Sequence, residues 1–169
     1  MAEVCGYQLN QTNAKDGVSP NDPNAEFQLL ENKIEKIKIG LFGFGRIGRN
    51  IFRIGYEDPR FEFVAISDLG NVEAMHYLLM RDSIHGAMKS EINLEGKDLL
   101  YNGSSTRLLP GAAPGSIPWD AFDVDIVIDS TGAYRKREEL QMHIDSGAKR
   151  VLVSKPPVNE IDRIVIQGI

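Results

Sequence analysis

Gly43-Phe44-Gly45-Arg46-Ile47-Gly48 lies between the apolar run Ile37-Lys38-Ile39-Gly40-Leu41-Phe42 and a stretch patterned as a helix. Twenty positions beyond Gly48, at the end of a second apolar run, stands Asp68. A glycine-rich turn that leaves a strand, opens a helix and is followed by an acid after the next strand is the dinucleotide-binding fingerprint. Each glycine has a job in it. Gly43 lets the chain turn sharply out of the strand. Gly45, without a Cβ, lets a pyrophosphate approach the backbone, and Gly48 lets the helix pack close to the strand. The helix that begins there turns free N–H groups and the positive end of its dipole toward an anion. Asp68 would accept a hydrogen bond from a ribose 2′-hydroxyl and repel a 2′-phosphate, so the expected cofactor is NAD rather than NADP.

The remaining composition narrows the class. A chain of 169 residues suggests one domain, or a domain with a tail, and 42% hydrophobic residues suffice for a core. The net charge of -5 gives no sign of a nucleic-acid partner. The short cluster Arg135-Lys136-Arg137 adjoins Glu138-Glu139 and reads as a solvated helix start. Cys5 is the single cysteine and sits in a polar stretch, so no disulfide forms within the chain and no positioned base accompanies it. There is no run long enough to span a membrane and no secretory pattern at the N-terminus; the expected compartment is the cytoplasm. No residue is assigned to a metal.

Periodicity then orders the elements. Residues 1–36 read as a polar, largely disordered extension carrying a short amphipathic helix over about Ala25–Lys36, with Phe27, Leu30 and Ile34 on one face. A domain over 37–169 follows. Its first strand is Ile37–Phe42, and its first helix, about Arg46–Tyr56, is expected to bury Ile47, Ile51 and Ile54. Phe61–Ser67 is a strand, and Asn71 caps a helix with Met75, Leu78 and Leu79 inward. Glu91–Leu94, Asp98–Tyr101 and Thr106–Leu109 are short antiparallel strands, one of them added to the edge of the main sheet. Asp125–Ser130 is a buried strand, about Arg135–Ser146 a helix with Leu140 and Ile144 inward, Arg150–Ser154 a second buried strand and Ile164–Ile166 a last one. Alternating strands and helices mean an α/β, Rossmann-type, doubly wound and mostly parallel sheet with a small antiparallel insertion.

Four stretches carry a family resemblance: Gly43-Phe44-Gly45-Arg46-Ile47-Gly48-Arg49, Tyr77 through Gly86, Ile117-Pro118-Trp119 and Asp129-Ser130-Thr131-Gly132. In order and spacing they resemble the N-terminal domain of the glyceraldehyde-3-phosphate dehydrogenase family, with the erythrose-4-phosphate dehydrogenases as close relatives. The resemblance implies a homo-oligomeric, cytoplasmic, NAD-dependent enzyme of glycolysis. Such an enzyme oxidises an aldehyde through a cysteine thiohemiacetal, passes hydride to NAD and releases the acyl group to phosphate. It further implies that the main chain at Arg46 and Ile47 faces the pyrophosphate and that Asp68 binds the adenosine ribose. Thr131 and Gly132 would line the cleft, with Ser154 toward the nicotinamide.

The chain departs from that family in places. Phe42 and Ser67 stand where the family has Asn, Ala112 where it has a cofactor-side arginine, and Lys155 where Ser-Ala-Pro is usual. These changes imply weaker or differently posed NAD. The nucleophile segment Ser-Cys-Thr-Thr-Asn-Cys would begin shortly after residue 169, with the catalytic histidine further on. His76, His85 and His143 read as structural or surface residues. No catalytic residue is therefore assigned, and the chain alone is expected to bind NAD without turnover. Two other readings stand beside it: a non-catalytic NAD-binding or interaction module, and one half of a split dehydrogenase.

Overall fold

The computed structural model describes residues 35–111 and 113–165. The extension over 1–34, with its stripe of Phe27, Leu30 and Ile34, lies outside the described residues, as do Ala112 and Ile166. Glu35 and Lys36, the described end of the expected first helix, are not helical.

Among the described residues, nine strands and three helices follow in chain order: β1 (Ile37–Phe42), α1 (Arg46–Gly55), β2 (Phe61–Asp68), α2 (Val72–Met80), β3 (Arg81–Asp82), β4 (Gly86–Ala87), β5 (Asn93–Glu95), β6 (Asp98–Tyr101), β7 (Ser104–Pro110), β8 (Ile126–Asp129), α3 (Arg137–Asp145) and β9 (Arg150–Val153). A 3₁₀ turn over Trp119–Phe122 precedes β8. Seven strands form one sheet in the order β5-β6-β7-β2-β1-β8-β9, and β3 and β4 make a separate pair. From β7 across to β9 every neighbour is parallel, while β5, β6 and β7 form an antiparallel meander. All three short strands thus join the main sheet rather than one of them, because β7 is long enough to pair with β6 on one side and β2 on the other.

The sheet has a core on each face. Ile39, Leu41, Phe63, Ile66 and Ile128 meet α1 and α2 through Phe52, Met75 and Leu79. Phe42, Ala65 and Val127 meet Trp119, Val124 and Ala148 on the other face. The alternation follows the period of two in β1 and β8. In β2 it slips where Ile39 pairs with Phe63 but Gly40 pairs with Ala65, and this bulge puts Val64 and Ala65 on the same side.

Several expectations about burial are corrected. The inward face of α1 is Gly48, Phe52 and Gly55, not the isoleucines: Ile47 is 51% and Ile54 83% exposed, with Ile51 half-buried. The two glycines bring the helix down onto the sheet, and the Phe52 ring fills the space against Phe44, Phe63 and Tyr101 at 5.9, 5.0 and 5.3 Å. Burying that ring is worth about 1.5–3 kcal/mol. In α2, Met75 and Leu79 are buried but Leu78 is exposed, since it falls one residue off the stripe. β9 alternates exposed and half-buried, because it has a strand on one side only among the described residues. Ile144 in α3 is half-buried, and the neighbouring His143 takes the inward position beside Leu140. Ile164 and Val165 are exposed and belong to no strand.

In the basic cluster at the start of α3, Lys136 and Arg137 are exposed as expected and Arg135 is half-buried, and two of the three hold the following chain. Arg135 Nε donates to the Pro156 carbonyl at 2.9 Å, and Arg137 pairs with Asp162 at 2.7 Å. Glu139 accepts from the Arg135 and Lys136 amides, which hold its carboxyl below the usual range. None of the helices among the described residues is long and apolar enough to cross a membrane.

Candidate functional site

Parallel pairing aligns the carboxyl ends of four strands. Phe42 pairs with Ser67 on one side and Asp129 on the other, and Asp129 pairs with Val153. The ladder continues one step past the strand ends: Gly43 N donates to Ser67 O (2.8 Å), Ser130 N to Phe42 O (2.8 Å) and Ser154 N to Asp129 O (3.0 Å). Gly43, Asp68, Ser130 and Ser154 therefore emerge along one edge. From β1 the chain crosses to β2 on one side, and β8 returns on the other, so this edge is the topological switch point where open α/β sheets bind ligands.

At its centre is the glycine turn. Gly43 has φ +93°, the left-handed region, and a Cβ there would meet Thr131 N at 2.8 Å. At Gly48 a Cβ would fall on the Gly43 carbonyl oxygen, which is why the helix can start so close to the strand. Gly45 differs from both. It is the N-cap of α1, its φ is an ordinary -69°, and a Cβ would meet nothing within 4 Å. Among the described residues no side chain caps the helix, and its first turn holds no acid, so the Arg46, Ile47 and Gly48 amides have no intrahelical acceptor and no acid of their own turn beside them. Arg46 and Ile47 are exposed. The backbone at Gly45 is open for a reason that packing does not supply, and an anionic group fits it.

Asp68 reaches back to the turn. Its Oδ2 accepts from Phe44 N at 2.5 Å and its Oδ1 from Gly70 N at 2.9 Å. The carboxylate is partly exposed, so it retains acceptor capacity beside the turn. Arg49 Nη1 donates to the Phe44 carbonyl at 2.8 Å, which fixes the same turn from the helix side.

Thr131 and Gly132 form the opposite wall. The Thr131 amide and hydroxyl both donate to Asp129 Oδ1, at 2.9 and 2.7 Å. Gly132 has φ +68°, and a Cβ there would run into the Lys155 side chain, so this lysine lies across the turn. Ser154 is exposed and stands two strands from β1, about 10 Å from the glycine turn by ordinary strand spacing. The structure thus brings Gly43, Gly45, Arg46, Ile47, Gly48, Asp68, Thr131 and Gly132 around one short edge, with Ser154 at its margin.

Phe42 and Ser67 act in packing. The Phe42 ring is buried with its centroid 4.7 Å from His143 and 5.8 Å from Tyr134. Ser67 is buried and donates to the Pro110 carbonyl at 3.2 Å. His76 Nε2 meets the Ile92 carbonyl at 2.7 Å, and His85 lies in a turn where Asp82 accepts from the Ile84 and His85 amides. The residue that motif reading missed is Asp129. It is wholly buried, and it holds Thr131 in place. The available signal was an acid ending an otherwise apolar strand. Among the described residues no three metal-ligating side chains converge.

The chain is 39% identical over 133 residues to glyceraldehyde-3-phosphate dehydrogenase of Geobacillus stearothermophilus, covering 79% of this chain and 39% of that protein. It is 38% identical over 133 residues to glyceraldehyde-3-phosphate dehydrogenase 1 of Bacillus subtilis, with the same coverage. With the Streptomyces coelicolor enzyme it shares 40% over 134 residues, covering 79% and 40%. The chain thus spans about two-fifths of the length of these relatives. The family model for the glyceraldehyde 3-phosphate dehydrogenase NAD binding domain matches residues 37–137, most of the sheet and all of the glycine turn, and the chain belongs to that NAD-binding family.

Proposed function

We propose that this chain holds NAD across the carboxyl ends of β1, β2 and β8, as the cofactor part of a phosphorylating, glyceraldehyde-3-phosphate dehydrogenase-like oxidoreductase. The observation that carries the reading is the open N-terminus of α1: uncapped, free of acids, and led by a glycine with nothing above it. In this reading the amides at Arg46 and Ile47 bind the pyrophosphate, and Gly43 and Gly48 shape the turn that presents them. Asp68 accepts from the adenosine ribose and disfavours a 2′-phosphate by charge. Thr131 and Gly132 wall the cleft, and Ser154 approaches the nicotinamide side. Bound NAD supplies a hydride acceptor.

Acyl chemistry also needs a thiolate, a base and an oxyanion site. The 169 residues hold one cysteine, Cys5, and no Ser-Cys-Thr-Thr-Asn-Cys segment. Residues 1–169 therefore bind NAD and do not by themselves turn over an aldehyde phosphate; glycolysis and the cytoplasm are the setting this implies. The exposed Leu152 on β9, which pairs on one side only among the described residues, favours a further polypeptide against this edge. That polypeptide would be the catalytic part, on this chain or another.

Calorimetric titration of the 169-residue chain with NAD and NADP tests the reading. Heat with NAD and a weaker response to NADP are expected. No heat with either at millimolar ligand would overturn NAD binding, and turnover of glyceraldehyde 3-phosphate by the purified chain would overturn the division of labour.

A further inference from the structure

Three wholly buried side chains lie in a row beneath the cleft: Trp119, His143 and Asp129. Trp119 Nε1–H donates to His143 Nδ1 at 3.1 Å. A ring that accepts at Nδ1 carries its hydrogen at Nε2. That Nε2 faces Asp129 Oδ2 at 3.7 Å, and both atoms are buried without another partner among the described residues. The other carboxylate oxygen, Oδ1, is the one that accepts from the Thr131 amide and hydroxyl. Phe42 packs edge-on against the imidazole and helps close the row off from water.

We infer that Trp119, His143 and Asp129 form a hydrogen-bond relay that makes Asp129 a positioning residue for the Thr131–Gly132 wall. This rests on the NAD-binding reading above. The logic is one of matched donors and acceptors. Trp119 can only donate, so it fixes the tautomer of His143. His143 then presents N–H to Asp129, and a carboxylate, which only accepts, can take that hydrogen at Oδ2 and both Thr131 hydrogens at Oδ1. The gap between Nε2 and Oδ2 closes to a hydrogen bond in this scheme, since neither atom has an alternative inside the core. Every link points the same way, and an amide in place of the carboxylate cannot satisfy it. In Asp129→Asn the oxygen keeps Thr131, but the NH₂ meets the His143 N–H. Shifting the imidazole proton to Nδ1 only moves the clash to Trp119.

That conflict yields a test which mere packing does not reproduce. Asp129→Asn, Trp119→Phe and the double variant of the full chain are titrated with NAD, and their melting temperatures are compared. Asp129→Asn is expected to weaken NAD about tenfold in the native background. Trp119→Phe removes the fixing donor, so the same change there is expected to cost about twofold or less. Equal penalties in both backgrounds, or no penalty in either, would overturn the relay. Nitrogen NMR of the wild-type His143 ring adds a measurement free of variants, and Trp119 is the sole tryptophan, so its indole N–H signal is unambiguous. An Nε2–H tautomer at neutral pH with a slowly exchanging indole N–H supports the relay, and an Nδ1–H ring or an imidazolium overturns it. If a variant does not fold, the wild-type tautomer decides. If the wild type gives no NAD heat, the cofactor reading and the positioning role fail, while the tautomer and the melting cycle still judge the relay.

Discussion

Gly45→Ala separates binding from folding more cleanly than any other change at the turn. The new methyl meets nothing within 4 Å, and the backbone there is at φ -69°, where alanine is unstrained. Alanine is a poorer N-cap than glycine, yet it reduces the freedom of the unfolded chain by about 0.4–1 kcal/mol, so the two effects roughly cancel. Melting should therefore stay within about 3 °C of wild type. Binding should suffer, because the methyl projects into the space through which a phosphate reaches the Arg46 and Ile47 amides. Hydrogen bonds to a charged group are worth about 1.5–3 kcal/mol each, so forfeiting one or weakening two costs about 2–4 kcal/mol. That corresponds to a loss of about 30- to 1,000-fold in NAD affinity. Calorimetric titration gives the affinity and differential scanning calorimetry the stability. Wild-type affinity in Gly45→Ala would refute the assignment of the pyrophosphate to this helix end. A drop of more than about 5 °C would show that Gly45 serves the fold after all.

Other changes should act through the fold. Gly48→Ala places a methyl on the Gly43 carbonyl oxygen and 2.8 Å from Ser130 Oγ, and the main chain cannot withdraw without moving α1. The expected loss is about 1–3 kcal/mol from overpacking, offset by less than about 1 kcal/mol of helix propensity, read from urea midpoints. Thr106→Val removes a buried hydroxyl that donates to the Phe63 carbonyl at 2.6 Å and meets Tyr101 Oη at 2.8 Å. It leaves both partners unpaired for a loss of about 1–3 kcal/mol, measured in the same way. Hydrogen bonds from the Arg60 side chain and amide hold the Asp58 carboxyl down at about 2, below its usual 3.8. A depressed acid contributes stability above its unfolded value and loses it as pH falls through the folded one. The melting difference between wild type and Arg60→Ala should thus be present at pH 6 and shrink between pH 4 and pH 2; a difference that grows on acidification would refute the pairing.

Much of the site was legible because its parts are local. Gly43 to Gly48 needs only its neighbours to declare a sharp turn and a helix start, and the side chain of Asn71 caps α2 by accepting from Ala74 N three residues on. Burial was less legible, since it depends on what lies opposite. Ile47 and Ile54 carry the right spacing for an inward stripe, yet Gly48 and Gly55 allow a closer approach and take that face. Leu152 and Val153 read as a covered strand, but a strand's burial depends on whether another lies beside it.

The sequence alone determined the cofactor class, the family and most of the order of strands and helices, because fingerprint glycines, caps and apolar periods act over a few residues. Only the tertiary structure decided which atoms meet across long separations. Ser67 comes beside Gly43, Thr131 closes over the same glycine, and Asp129 joins His143 and Trp119 beneath the cleft. Those contacts span 14 to 88 residues of chain and exist only once parallel pairing has set the strand ends level. No local period encodes that alignment, and the carboxylate at Asp129 acquires its partners from it.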